Sequence, residues 1–199
     1  VTRYFVLPAL LIFLTLSGYA TDEVRRFDIE LAGIKIGELT ATRRKVDTLT
    51  HYYLESKVSF WLLLRVHVHH IQTAVYHEEK LLYSTVKTRS NRGEFSSSVI
   101  WNKKHYAVNA SMYKYEHSGK INEDIDFNLL RFFFDEPKNV NLVLADGFGL
   151  MVPVSFLKDA YYEVEVHGER NKYFFTGGKL QRASMDGTIK NYEIILRKD

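Results

Sequence analysis

Side-chain character along this chain alternates with period two. From Tyr52 to Val68 the even positions read Tyr52, Leu54, Ser56, Val58, Phe60, Leu62, Leu64, Val66 and Val68, while the odd positions include Tyr53, Glu55, Lys57, Ser59, Arg65 and His67. Successive side chains of a strand point to opposite faces, so this is a strand pattern with one apolar and one wet face, as in an antiparallel sheet. Phe27-Ile29-Leu31, Leu81-Tyr83-Thr85, Tyr106-Val108-Ala110-Met112 and Tyr162-Val164-Val166 repeat it. Turn signals follow at Asn91-Arg92-Gly93, Ser118-Gly119, Gly168, Gly177-Gly178 and Asp186-Gly187. Gly33 and Gly37 interrupt a strand pattern, the signature of a bulge or of a close backbone approach. Such regular spacing predicts an all-β, mainly antiparallel fold, a meander of about eight to eleven strands in a single curved sheet, half-barrel or barrel. Phe60-Trp61-Leu62-Leu63-Leu64 is apolar on both faces and reads either as a bend between two strands or as a patch covered on both sides.

Asn122 to Phe134 departs from period two. Ile125, Leu129, Phe132 and Phe133 fall on helical spacing, Asp124 or Asp126 can cap the start, and Pro137 follows the end. The pattern predicts one short amphipathic α-helix packed on the sheet or plugging a barrel mouth.

Residues 1–20 read as a secretory signal peptide. Arg3 precedes an apolar run from Tyr4 to Leu16, and Gly18 and Ala20 supply small residues before a cut after Ala20. The run is short for a bilayer span, which needs about 20 apolar residues. An uncleaved N-terminal anchor is the alternative. The expectation is an exported bacterial protein, periplasmic or extracellular, with residues 21–199 forming a single β-rich domain and no transmembrane segment after cleavage. The sequence contains no cysteine. Thiolate metal sites, disulfides and a cysteine-linked lipid anchor are therefore excluded. The formal charge of +3 comes from 27 Lys and Arg against 24 Asp and Glu, close to balance. The basic runs Arg43-Arg44-Lys45 and Lys103-Lys104 sit beside turns and read as solvated strand ends, so no nucleic-acid partner is expected.

His67 and His69 are two apart, which on a strand directs both rings to one side, and such a pair can share a metal. A third ligand is required. The positions just beyond hold Gln72, Thr73 and Ala74, leaving His51, His77, His105 or Glu55 to reach the pair from neighbouring strands. The plainer reading, which we favour, is the polar outer face of a strand. No Gly-x-Ser-x-Gly elbow is present, and Gly147-Phe148-Gly149 lacks phosphate-loop spacing and reads as a turn. No motif calls for a cofactor. Phe132, Phe133, Tyr162 and Phe174 are candidate ligand-binding residues, because a curved sheet lined with aromatics can hold a lipid or another apolar molecule. The plainer reading, which we favour, is that they fill a sheet core.

Phe27 to Ala41, Leu130 to Pro137 and Asn171 to Met185 together resemble uncharacterised exported bacterial families catalogued as domains of unknown function. That resemblance implies an antiparallel half-barrel with a small helix, broadly similar to periplasmic lipoprotein carriers, and brings no catalytic residues. The expected function is a non-enzymatic envelope binding or carrier protein for an apolar, lipid-like ligand, or an envelope assembly component with a protein partner. The rival is a metal-dependent enzyme centred on His67 and His69.

Overall fold

The computed structural model describes residues 22–61, 65–157, 161–186 and 191–198. The signal-peptide expectation, the leucines Leu62 to Leu64 and Gly187 of the Asp186-Gly187 turn signal lie outside these residues. The strands are β1 (Asp22–Leu31), β2 (Ile34–Val46), β3 (Leu49–Trp61), β4 (Arg65–His77), β5 (Lys80–Ser90), β6 (Gly93–Trp101), β7 (Tyr106–Met112), β8 (Tyr115–Ile121), β9 (Leu142–Ala145), β10 (Leu150–Leu157), β11 (Tyr161–Val166), β12 (Glu169–Thr176), β13 (Lys179–Met185) and β14 (Tyr192–Leu196). They form one antiparallel sheet in the order β8-β7-β6-β5-β4-β3-β2-β1-β14-β13-β12-β11-β10-β9. Strands consecutive in sequence pair with one another except β8 and β9, and β1 pairs with β14, Phe27 facing Leu196. β8 and β9 stand at the two ends of the order, so the sheet is a wrapped meander not closed into a true barrel.

Fourteen strands exceed the eight to eleven expected. Ser118-Gly119, expected as a turn, lies within β8, and the chain reverses instead at Tyr113-Lys114, where Lys114 takes a positive φ. Two apolar stretches flanking Gly147-Phe148-Gly149 form the short β9–β10 pair around that turn, as the sequence predicts. The pattern from Tyr52 to Val68 is two strands. β3 and β4 pair with Tyr52 facing Ala74 and Val58 facing Val68. Even positions thus face even positions across the reversal, and one apolar face continues through both.

Gly37 shows why a side chain is excluded from that point of β2. A Cβ there would lie 2.4 Å from the Lys57 carbonyl oxygen and 2.9 Å from the Val58 Cα. A bulge between Ile29 and Glu30 sits opposite it on β1. The Gly177-Gly178 pair turns β12 into β13 with positive φ at both residues, as a two-residue hairpin demands.

The α-helix expected over Asn122 to Phe134 is a 3-10 helix confined to Leu129–Phe133. Neither Asp124 nor Asp126 caps it. The cap is Asn128, whose side-chain oxygen accepts from the Arg131 amide at 3.2 Å. The preceding residues are held extended by strand-like bonds. Leu81 donates to the Ile125 carbonyl at 2.8 Å, Leu144 donates to the Phe127 carbonyl at 3.0 Å, and Asn128 forms a parallel bridge with Leu144. These claims on the backbone outcompete the helical period.

The segment plugs the wrapped sheet. Phe132 packs edge-on to Tyr173 at 4.7 Å and to Phe127 at 5.7 Å, and Phe133 packs edge-on to Phe27 at 5.3 Å. Phe134 meets Tyr52 at 5.5 Å. Arg25 and Arg43 lie over the Phe134 ring at 5.5 and 5.2 Å, and Arg43 is salt-bridged to Asp135 at 2.7 Å. The plug is thereby fastened to β1 and β2.

Candidate functional site

Two arrangements of polar side chains stand out. The first is an open cleft of about 590 Å³ across β2 to β5, near the β3–β4 reversal. Ile36, Val58 and Val68 give it apolar lining, and Lys57, His67, His69 and Arg89 give it a basic and polar edge. Register places Lys57, His69 and Arg89 side by side across β3, β4 and β5, and Val58 beside Val68. The Asn91 side chain accepts from the His67 amide at 2.6 Å and so docks the β5–β6 turn against β4.

Glu55 holds the polar edge in place. Its carboxylate lies 2.8 Å from the Lys57 ammonium and 2.8 Å from His69 Nε2. The Lys57 bond, followed by the His69 bond, keeps the Glu55 carboxyl below the usual carboxylate range. Arg89 donates to Glu94 at 2.6 Å. The Arg89–Glu94 pair is exposed and the Glu55 contacts are half-buried, and ion pairs open to water are worth little and exchange easily.

The second arrangement is buried under the β9–β10 turn. Asp146 Oδ1 accepts from the Ser84 hydroxyl at 2.5 Å and from the Asn128 amide at 2.7 Å. Ser97 donates to the Gly147 carbonyl at 2.6 Å and Tyr115 to the Phe148 carbonyl at 3.0 Å, drawing the turn inward. Gly149 allows that approach, because a Cβ there would lie 2.3 Å from Val108 Cγ1. Asp146 Oδ2, Gln72 Nε2 and the Tyr76 hydroxyl are buried without a hydrogen-bond partner among the described residues. Burial pushes the Asp146 carboxyl up to about 6, against the pull of the Ser84 and Asn128 hydrogen bonds. On β4, two residues from Gln72, burial pushes His70 down to about 4, and its Nδ1 lies 2.9 Å from the Thr88 hydroxyl.

The structure brings His67 and His69 to the same cleft but separates their roles. His69 pairs with Glu55, and His67 stands exposed. Of the third ligands considered, Glu55 reaches His69, and His105 instead contacts Asn102 at 3.0 Å. Among the described residues no group of three His, Asp or Glu is arranged to hold a metal ion. The four aromatic candidates do not share a wall. Phe132, Phe133 and Tyr162 are buried in the core. Phe174 faces outward beneath Arg182, whose guanidinium lies 4.0 Å from its ring centre. Sequence reasoning passed over Asp146, Ser84 and Gln72. The available signal was an acid placed directly after the apolar Val143-Leu144-Ala145 and before a Gly-x-Gly turn.

The fold is similar to that of a beta-barrel-like protein of domain of unknown function DUF1849 from Brucella abortus, known from a crystal structure. The TM-score is 0.50 at 9% identity, with 88% of this chain and 95% of that chain covered. No curated protein matches the sequence. No helix among the described residues is long and apolar enough to cross a membrane. The family model for a domain of unknown function, DUF6134, matches residues 27–197, nearly the whole wrapped sheet, and the chain belongs to that family.

Proposed function

We propose that this domain is a non-enzymatic binding protein of the bacterial cell envelope that takes an amphipathic, anionic ligand in the cleft across β2 to β5. One observation carries the reading: apolar Ile36, Val58 and Val68 line the same open cleft as basic Lys57 and Arg89. An acyl or other apolar chain would lie on the former, and an anionic head group would displace Glu55 and Glu94 from the latter. Ligand sites commonly combine apolar lining with a few placed polar groups. The sheet interior around the plug is filled by Phe132, Tyr173, Phe133 and Phe27, which favours the open cleft over that region as the place of binding. The apolar run at residues 4–16 supports delivery to the envelope.

The reading is tested by titrating the purified protein with dodecyl phosphate below its micelle concentration and with dodecyl maltoside as the neutral control. Binding of the phosphate, weakened about tenfold or more in Lys57→Glu/Arg89→Glu, is the expected result, since each removed charge pair is worth on the order of 1 kcal/mol. Equal binding of both amphiphiles, or binding unaffected by the double variant, would overturn it.

A further inference from the structure

One rim of the sheet differs from the other in what its turns display. The β1–β2, β5–β6 and β7–β8 turns and the paired ends of β3 and β4 at Trp61 and Arg65 lie at the same rim, because these strands are consecutive and antiparallel. Beside them stand Ile34 at 69% exposure, Trp61 at 76% and Tyr113 at 43%. The β2–β3 register, in which Gly37 faces Val58, carries Ile34 toward the end of β3 that bears Trp61. The β3–β4 pairing continues to Trp61 facing Arg65, while β5 stops pairing with β4 at Val68. The end of this hairpin therefore projects beyond β5 and carries Trp61 outward.

Cations accompany these side chains. Arg92 lies over the Tyr113 ring at 4.7 Å and Lys114 at 5.3 Å. Arg65 faces Trp61, and neither Arg65 nor Arg92 has an acidic partner among the described residues. Glu94 at this rim is engaged by Arg89. The opposite ends of the same strands carry both signs at their turns, Asp47, Glu78 and Glu79 with Lys103 and Lys104. A large exposed apolar side chain is costly in water. Trp and Tyr beside Arg and Lys are the combination favoured at a membrane–water interface, where the ring lies among head groups and the cation meets phosphate.

We propose that this rim seats on an anionic phospholipid surface, with Ile34, Trp61 and Tyr113 at the head-group level and Arg65, Arg92 and Lys114 on lipid phosphates. The contact is peripheral and uses turns. It deepens the binding reading, since Val58, Val68 and His67 of the cleft lie a few residues from this rim and the cleft would open close to the lipid. It does not require the cleft to hold anything.

The test uses the full chain and vesicles of phosphatidylcholine with and without phosphatidylglycerol, read by co-sedimentation and tryptophan emission. Wild type and W61A/R65E share the same N-terminal residues, so their difference reports the rim. Binding that needs phosphatidylglycerol, weakens with salt and drops about tenfold in W61A/R65E is expected, each basic contact being worth about 1 kcal/mol. The emission should shift to the blue on binding, and W61F should abolish that shift, since Trp101 is the other tryptophan. Thermal unfolding of each variant confirms that it folds. No vesicle binding, undiminished binding in W61A/R65E, or self-association lost in that variant without vesicle binding would overturn the proposal. Failure of dodecyl phosphate to bind, with vesicle binding intact, would overturn the cleft reading alone.

Discussion

The Ser84 hydroxyl donates a 2.5 Å hydrogen bond to Asp146, joining β5 to the β9–β10 turn across 62 residues of sequence inside the sheet. A buried carboxylate that accepts two hydrogen bonds through one oxygen and none through the other is only part-compensated for the water it lost.

Asp146→Asn should therefore stabilise the fold at neutral pH. The folded-state carboxyl titrates at about 6. The unfolded one titrates near the ordinary value of about 4. Between these values the unfolded chain binds fewer protons, so this group's contribution to stability falls as pH rises from about 4 to 6 and stays at its minimum above. Two units correspond to about 3 kcal/mol at most. Asn keeps the acceptor for Ser84 and Asn128 and removes the charge. His70 acts in the opposite sense, since a depressed histidine pKa makes stability fall as pH drops from 6.5 toward 4. Urea unfolding of both proteins at pH 4 to 8 isolates the Asp146 term as their difference, which should grow from near zero at pH 4 to its full value above pH 6.

Asn128→Asp should have the reverse effect. An Asp oxygen still caps the 3-10 helix, but the amide donor to Asp146 is replaced by a second carboxylate. Two adjacent buried carboxylates cannot both ionise without large cost. We expect a loss of about 3 kcal/mol or more at pH 7, partly recovered below pH 5 as one of them keeps its proton. The midpoint of thermal unfolding against pH shows this directly.

Phe132 and Phe174 should separate under truncation. Phe132→Ala leaves a void among Tyr173, Phe127 and Phe175 and should cost about 3–5 kcal/mol. Phe174→Ala removes an outward ring stacked under Arg182 and beside Tyr161, and should cost about 1 kcal/mol. Similar losses in chemical denaturation would show that the plug is not the packed centre of the domain.

Gly37→Ala should loosen the β2–β3 pair beside the cleft. The added methyl meets backbone at Lys57, which has no rotamer with which to yield. A cost of about 1–3 kcal/mol is expected, with faster amide exchange in Glu38 to Val58 than in β11 to β13. Uniform exchange across both regions would count against a local clash.

The strands were legible because burial on one face writes period two into the residues themselves. Gly37 and Gly177-Gly178 were legible for a related reason, each being demanded by a backbone geometry a few residues wide. The helix at Asn122 to Phe134 was misread because its apolar spacing arises from packing against Tyr173 and Phe27, and its backbone is claimed by Leu81 and Leu144. His67 and His69 were legible as a pair on one strand, but the partner of His69 is Glu55 on β3, fixed by register.

An antiparallel meander, its two faces and several of its reversals can be read from the residues alone, since these follow from local alternation and turn chemistry. That β1 meets β14, that Asp146 is drawn inside onto Ser84 and Asn128, and that Trp61 and Arg92 share one rim are properties of the folded sheet. Those relations join residues far apart in the chain. They depend on how strand lengths and registers add up around the curve of the sheet, a sum that no short window of residues contains.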